Sequence, residues 1–356
     1  MSNIIPNRIR TARLLRCLSM DQLVARMDDR AVSKMAISKI ERGLMQPSQQ
    51  TLSAIADACN VPIEFFCESS FAIGKLEFRF NEGTPIRKRQ EIEAQVVAEI
   101  QNYMDLNSNI PEQIPFRNPL KGFIVRNYPD LETAAQTIRK KWYIGNQPIF
   151  SVYELLQSYG IHIIETNIDD DNVDGVSTYI NSRTPIIIIN TRKNKTTERK
   201  RFTALHELAH LTMKFKPMSD DEFQAYQNSL PQFPYKVTLK YPDTERLCNS
   251  FASTMLLPQE CVFRRIGTSR ADIHIDEFIA IRNLYGISIA ATIHRLHTMH
   301  VIDDAHYHQY YEEIIKPNEL ETGLGSFPIQ EQATTPSLIR LRLKGLTEVE
   351  LKENNN

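Results

Sequence analysis

The sequence predicts a mainly α-helical chain with one small β-sheet, in which an all-α N-terminal bundle precedes an α+β domain. Three observations predict it. The first sixty-odd residues break into short amphipathic segments, most opened by a serine. Three runs rich in β-branched residues, "IHIIETNI", "DGVSTYI" and "PIIIIN", cluster between residues 161 and 190. Two longer segments, "TTERKRFTALHELAHLTMKF" and "DTERLCNSFASTMLLP", have helical periodicity. At 356 residues the chain exceeds a single typical core. It divides into a bundle at 1–67, a connector and helix at 68–125, an α+β domain at 126–315 and a C-terminal extension, partly disordered, at 316–356.

Composition narrows the class. The chain is 42% hydrophobic and 24% charged, with no apolar run long enough to cross a bilayer. The N-terminal "MSNIIPNRIRTARLLRC" has no long apolar core ending in a small-residue cleavage site, so no signal peptide is expected. Cys17, Cys59, Cys67, Cys248 and Cys261 are scattered without a C-x-x-C pair, which points to reduced thiols and a cytoplasmic location. The net charge of −1 hides an asymmetry: Arg8 to Arg42 carries nine Lys/Arg against four Asp/Glu. A basic first domain is a modest pointer to nucleic acid.

Local pattern says more. "LSMDQLVARM" pairs Ser19 with Gln22 as a capping box, and Leu23 and Met27 follow as an apolar i, i+4 pair. "DDRA" interrupts. Ser33 then opens "VSKMAISKIERG", with Ile37 and Ile40 inward and Gly43 as the stop. Pro47 and Ser48 set up a further helix that places Leu52, Ile55 and Ala56 on one face, and "IEFF" closes the bundle. Short helices joined by tight turns, the second and third forming one αα unit, make a helix-turn-helix. On "DQLVARM", "VSKMAISKIERG", "PSQQTL" and "IADACNV", residues 8 to 66 resemble the Cro/CI repressor (XRE) family, although the "DDRA" turn is longer than the compact family turn. In this geometry the third helix enters the major groove, which nominates Ser33, Lys34, Met35, Ser38 and Lys39 as base readers. Arg42 and the first-helix arginines Arg8, Arg10 and Arg13 are expected at phosphates. The expected partner is a double-stranded DNA operator, read by a homodimer because paired half-sites are the usual route to specificity.

Beyond the bundle, 68–83 reads as an extended connector in which Phe78 and Phe80 alternate. "TPIRKRQEIEAQVVAEIQNYMDL" is a helix opened by Pro85, its buried stripe marked by Ile92, Val96, Ile100 and Tyr103. "LETAAQTIRKKWYIG" is helical to about Gly145, with Trp142 in the core, and "IFSVYELLQSYG" is a helix before the strands. His162 alternates with isoleucines and is read as a structural strand residue.

"RFTALHELAHLT" places His206, Glu207 and His210 in the pattern H-E-x-x-H. On a helix, residues i and i+4 share a face, so both imidazoles can aim a nitrogen at one ion. Glu207 lies one step round the same turn, where it can reach a water near that ion. A catalytic zinc site needs a third protein ligand. Glu245, near the start of "DTERLCNSFASTMLLP", is the candidate, and Asn249, four residues on, shares its face and is placed to orient a ligand. Spacing alone leaves Glu245 equally readable as a solvent-facing carboxylate. His274 and Tyr241 are read as structural, and His294, His297 and His300 as partly exposed helix histidines.

"ERKRFTALHELAHL" together with "ERLCNSFASTMLLP" resembles the ImmA/IrrE family of zinc metallopeptidases, departing at Cys248, where Ala is usual, and at Met255. The likeness implies a zincin-like α+β metallopeptidase domain that holds Zn2+ on His206, His210 and Glu245, with Glu207 as general base. The fusion implies a DNA-binding transcriptional regulator with a zinc endopeptidase that cleaves a protein partner, such as a repressor, or itself, to relieve repression. The alternative is an autoregulatory repressor or antitoxin whose peptidase-like domain is a sensor or scaffold with little turnover. The two differ at Glu207, which only the enzyme needs. "KPNELETGLGSFPIQEQATTPS" reads as a mobile linker, and "LIRLRLKGLTEVELKENNN" as a short helix or pair of helices with a disordered end.

Overall fold

A computed structural model describes residues 4–16, 18–66, 73–76, 78, 84–107, 114–170, 172–216, 218–229, 243–318 and 324–333. The described chain runs α1 (Ile4–Leu15), α2 (Met20–Arg26), α3 (Lys34–Glu41), α4 (Gln49–Cys59), α5 (Ile86–Leu106), β1 (Ile124–Val125), α6 (Tyr128–Lys141) and α7 (Val152–Ser158). It continues with β2 (His162–Thr166), β3 (Gly175–Ile180), β4 (Thr184–Asn190), α8 (Thr197–Thr212), β5 (Lys214–Phe215), α9 (Asp220–Ser229) and α10 (Thr244–Leu256). The last elements are α11 (Gln259–Arg265), α12 (Ile275–Tyr285), α13 (Ile289–Thr298) and α14 (Asp304–Tyr310). The chain is thus mainly helical with a small mixed sheet, as its periodicity predicts. The described residues divide into two compact units, one within 1–116 and 160–193, the other within 117–159 and 194–333.

In the first unit, serine caps set the helix starts. Ser19 accepts from the Gln22 amide while the Gln22 side chain returns to the Ser19 amide, and Ser33 and Ser48 accept from the amides of Ala36 and Thr51. "DDRA" is a single 3-10 turn, Asp28–Arg30. Gly43 ends α3 in the left-handed region, at φ +72, where the Leu44 amide can reach back to the Lys39 carbonyl. Leu23, Met27, Ile37, Ile40, Ile55 and Phe66 form the bundle core.

Residues 73–76 and 78, from the stretch expected as a connector, belong to this unit. Ile73 pairs with Ile180, and Gly74 lies so close to the Tyr179 carbonyl that a Cβ there would sit 2.9 Å from its oxygen. Phe78 packs on the core, while Phe80 lies outside the described residues. The sheet has the order β2-β4-β3, with β2 parallel and β3 antiparallel to β4. β4, "TPIIIIN", is buried along nearly its whole length, as a central strand covered on both faces should be. Ile92, Val96, Val97 and Ile100 of α5 share a core with Ile164, Val176, Ile186 and Ile188 of the sheet and with Leu14 of α1. His162 is structural, as expected: it is buried and its Nδ1 lies 2.9 Å from the Tyr103 hydroxyl.

The second unit is built around α10, which packs on α8 and α6. Buried arginines hold the C-terminal end of α10, where helix carbonyls are left unpaired. Arg139 donates to the Met255 carbonyl, and Arg295 donates to the Leu257 carbonyl at 2.5 Å and to the Thr254 hydroxyl at 2.7 Å. Trp142 is buried and stacks on Tyr159 at 4.5 Å. β1 and β5 form a parallel two-residue ladder, which carries the chain out of α8.

The mobile linker expected after residue 316 is corrected in part. Residues 324–333 fold onto the second unit, with Phe327 and Glu331 buried. The Phe327 amide donates to Glu198 at 2.6 Å, and Thr197 bonds to Gln330 at 3.1 Å. A Gly-, Pro- and Gln-rich composition concealed two anchors. "LIRLRLKGLTEVELKENNN" lies outside the described residues. No helix among the described residues is long and apolar enough to cross a membrane.

Candidate metal centre and nucleic-acid interface

The metal-ligating candidates come from two packed helices of the second unit. Thr196 caps α8 by accepting from the Arg199 amide, and Asp243 caps α10 by accepting from the Arg246 amide. The H-E-x-x-H residues therefore sit in the C-terminal half of α8, and Glu245 sits in the first turn of α10. His206 Nε2 and His210 Nε2 stand 3.2 Å apart. Glu245 Oε2 is 3.3 Å from His206 Nε2, and its Oε1 is 3.7 Å from His210 Nε2. Two atoms each bonded to zinc at about 2.0–2.1 Å and at the tetrahedral angle stand about 3.4 Å apart. The three side chains already have the spacing such an ion needs.

The surroundings suit that arrangement. The side chains of His206, His210 and Glu245 are 15%, 25% and 30% exposed, so the cluster opens to solvent on one side. Glu207 is buried, and its charge is felt at His206. Burial works against a proton on His206. The hydrogen bond to Glu245, the charges of Glu207 and Glu245, and the bond to Asn249 outweigh it, and the imidazole pKa is raised above its ordinary value. Asn249 is where the periodicity placed it, its Oδ1 2.8 Å from His206 Nδ1.

Cys248, in the sequence only an unpaired thiol and a departure from the family pattern, is the residue whose place beside the site sequence reasoning missed. Its sulfur is fully buried and 3.8 Å from His210 Nδ1. One ligand atom from each of His206, His210 and Cys248 lies within 4.8 Å of the others, a metal-capable cluster in its own right. Burial, and then the charges of Glu245, Glu207 and Asp243, raise the thiol pKa well above the ordinary range. The signal in the sequence was its offset of three from Glu245, which puts it on a neighbouring face of the same turn. Cys59, Cys248 and Cys261 are buried and unbridged, and Cys17 and Cys67 lie outside the described residues.

The other histidines singled out in the sequence lie outside this cluster. His274 caps α12, accepting from the Asp276 amide. His297 pairs with Asp304 at 2.8 Å, His294 meets the Tyr307 hydroxyl at 3.0 Å, and His300 is half-buried beyond the end of α13. Tyr241 lies outside the described residues.

On the helix-turn-helix, Lys34, Met35, Lys39 and Arg42 are all exposed along α3 and its C-terminal cap. Ser33 is exposed, but its hydroxyl is engaged in capping, and Ser38 is half-buried, its carbonyl accepting from Arg42 Nε at 3.1 Å. Lys34 pairs with Asp21 at 2.6 Å, with both side chains largely exposed, so the pair holds the amine only weakly.

The phosphate role expected for Arg8 and Arg13 is corrected. Arg13 is buried and forms a two-pronged pair with Glu41 at 2.6 and 2.9 Å. Arg8 is buried against Phe65, donating to its carbonyl at 2.8 Å. These two cations bond within the bundle, whereas Arg10, partly exposed, pairs with Glu93 of α5 at 2.7 Å.

Residues 9–66 match the helix-turn-helix family model, and residues 156–297 match the M78 peptidase family model, described as the IrrE N-terminal-like domain. No curated protein and no solved structure matches the chain.

Proposed function

We propose that this chain, in which a helix-turn-helix domain is fused to an IrrE-like domain, is a DNA-binding regulator whose second domain is a zinc-dependent endopeptidase. Its substrate is a protein partner or the chain itself, and cutting it relieves repression at the operator. The observation that carries the reading is the spacing of His206 Nε2, His210 Nε2 and Glu245, at 3.2, 3.3 and 3.7 Å. Those three side chains would hold the ion. A bound zinc supplies Lewis-acid chemistry and makes nearby water more acidic.

The remaining roles fall to the chain's own groups. Glu207, one residue after the first imidazole, accepts the proton of the attacking water and returns it to the leaving amine. Asn249 keeps Nδ1 of His206 engaged, which leaves Nε2 free to face Glu245. The partial exposure of the cluster leaves room on one side for a peptide. On the first domain, the exposed Lys34, Met35, Lys39 and Arg42 support α3 as the helix that enters the major groove, working as a dimer.

Metal analysis of the purified chain beside His206→Ala tests the centre: about one zinc per chain is expected in the first and none in the second. Glu207→Gln should retain zinc and DNA binding while losing about 10²–10⁴-fold in cleavage. If repression and its relief are both unchanged by that substitution in cells, the domain is a sensor or scaffold instead.

A further inference from the structure

Cys248 and Asn249 are consecutive residues of α10, and each faces the Nδ1 edge of a different histidine of α8. Asn249 Oδ1 stands 2.8 Å from Nδ1 of His206, and Cys248 Sγ stands 3.8 Å from Nδ1 of His210. An imidazole that presents one nitrogen lone pair to an ion carries its hydrogen on the other nitrogen, and what that hydrogen meets fixes tautomer and ring angle. On both histidines the nitrogen turned toward Glu245 is Nε2. Both Nδ1–H groups therefore need acceptors, and α10 supplies one to each.

We propose that Cys248 is a positioning residue for the metal centre, its sulfur accepting the Nδ1–H of His210 and so holding that ring with Nε2 toward His206 and Glu245. This role rests on the zinc reading given above. The sulfur is fully buried, so water is a poor substitute for it at that edge. α10 thus contributes one metal-facing carboxylate and two tethers within five residues, while α8 contributes both imidazoles and the base. The close grouping of His206, His210 and Cys248 would also suit a thiolate bound to the ion itself. The geometry favours the tether, because the sulfur faces Nδ1 of His210 whereas Nε2 faces Glu245, and the in-plane directions of the two nitrogens diverge widely.

The test uses the full-length chain loaded with Co2+, comparing wild type, Cys248→Ala and Cys248→Ser, with His206→Ala as the control that loses the centre. A tether predicts about tenfold weaker Co2+ binding in Cys248→Ala, measured by chelator competition, with partial recovery in Cys248→Ser because the hydroxyl is still an acceptor. It also predicts no sulfur-to-cobalt charge-transfer band in the near ultraviolet for any variant. A purely packing role would shift the unfolding midpoint and leave Co2+ affinity unchanged, which overturns the proposal. A charge-transfer band in wild type that Cys248→Ala lacks overturns it differently, by making the thiolate a ligand. Wild type that takes up no stoichiometric Co2+ defeats the zinc reading and this role together, and is recognised by its likeness to His206→Ala.

Discussion

Arg201 and Glu331 meet at 2.6 Å with neither side chain exposed. The guanidinium also donates to the carbonyls of Gly286, Phe150 and Ile149, at 3.0, 3.0 and 2.7 Å. The carboxylate accepts from the Ser151 hydroxyl and the amides of Val152 and Tyr153, at 2.6, 2.8 and 3.0 Å. One ion pair thereby ties the segment 324–333 to the N-terminus of α7 and to the helix that carries His206 and His210.

Breaking that pair from one side leaves a buried charge without its counterpart, which costs about 3–5 kcal/mol. Glu331→Gln should therefore destabilise the second unit by about that amount. Trp142, the only tryptophan, lies in that unit, so its fluorescence in a urea titration follows the transition. Replacing both partners, Arg201→Met with Glu331→Leu, removes the unpaired charge but leaves the carbonyls of Gly286, Phe150 and Ile149 and the amides of Val152 and Tyr153 without partners, so it should not restore the wild-type midpoint. A Glu331→Gln midpoint equal to wild type would show that the segment is a passive cover.

The arginines of the first domain separate stability from DNA affinity. Arg13→Ala leaves Glu41 buried without its partner and should cost about 3–5 kcal/mol of bundle stability. Lys34→Ala with Lys39→Ala should leave the midpoint within about 0.5 kcal/mol. In mobility-shift titrations on operator DNA at moderate salt, the double variant should lose the specific complex, at about 1–3 kcal/mol for each base contact removed. An unaffected shift would dismiss α3 as the recognition helix.

These contrasts mark what could be read from sequence. The serine caps at 19, 33 and 48 are interactions over three residues, and His206 and His210 are one turn apart, so local periodicity was enough for all of them. Glu245 is a different case. It lies two helices along the chain from His210, and spacing left it open until the packing of α10 on α8 brought the carboxylate to the imidazoles. Arg8, Arg10 and Arg13 looked like free cations because their partners, Phe65, Glu93 and Glu41, are distant in sequence. Residues 324–333 were misread for a related reason: composition reports an average, whereas one carboxylate and one phenylalanine anchor the segment.

His162 supplies a pH-dependent prediction for the first unit. Burial lowers its imidazole pKa from 6.5 to about 4, and burial raises that of Tyr103, so the two rings are bonded with both groups neutral. A depressed histidine pKa means that the fold favours the neutral ring. Its contribution is present above the unfolded value of 6.5 and is lost as the pH falls through about 4. Over that window the loss approaches roughly 3 kcal/mol. His162→Phe keeps a ring of similar size and removes the titration, at the expense of the bond to Tyr103. The stability difference between wild type and this variant should therefore shrink by roughly 3 kcal/mol between pH 7.5 and pH 4. Urea unfolding followed by circular dichroism, using the transition that Trp142 fluorescence does not report, measures it at each pH. A difference that stays level across the range would mean that His162 takes up its proton in the folded strand as readily as in the unfolded chain, against its burial.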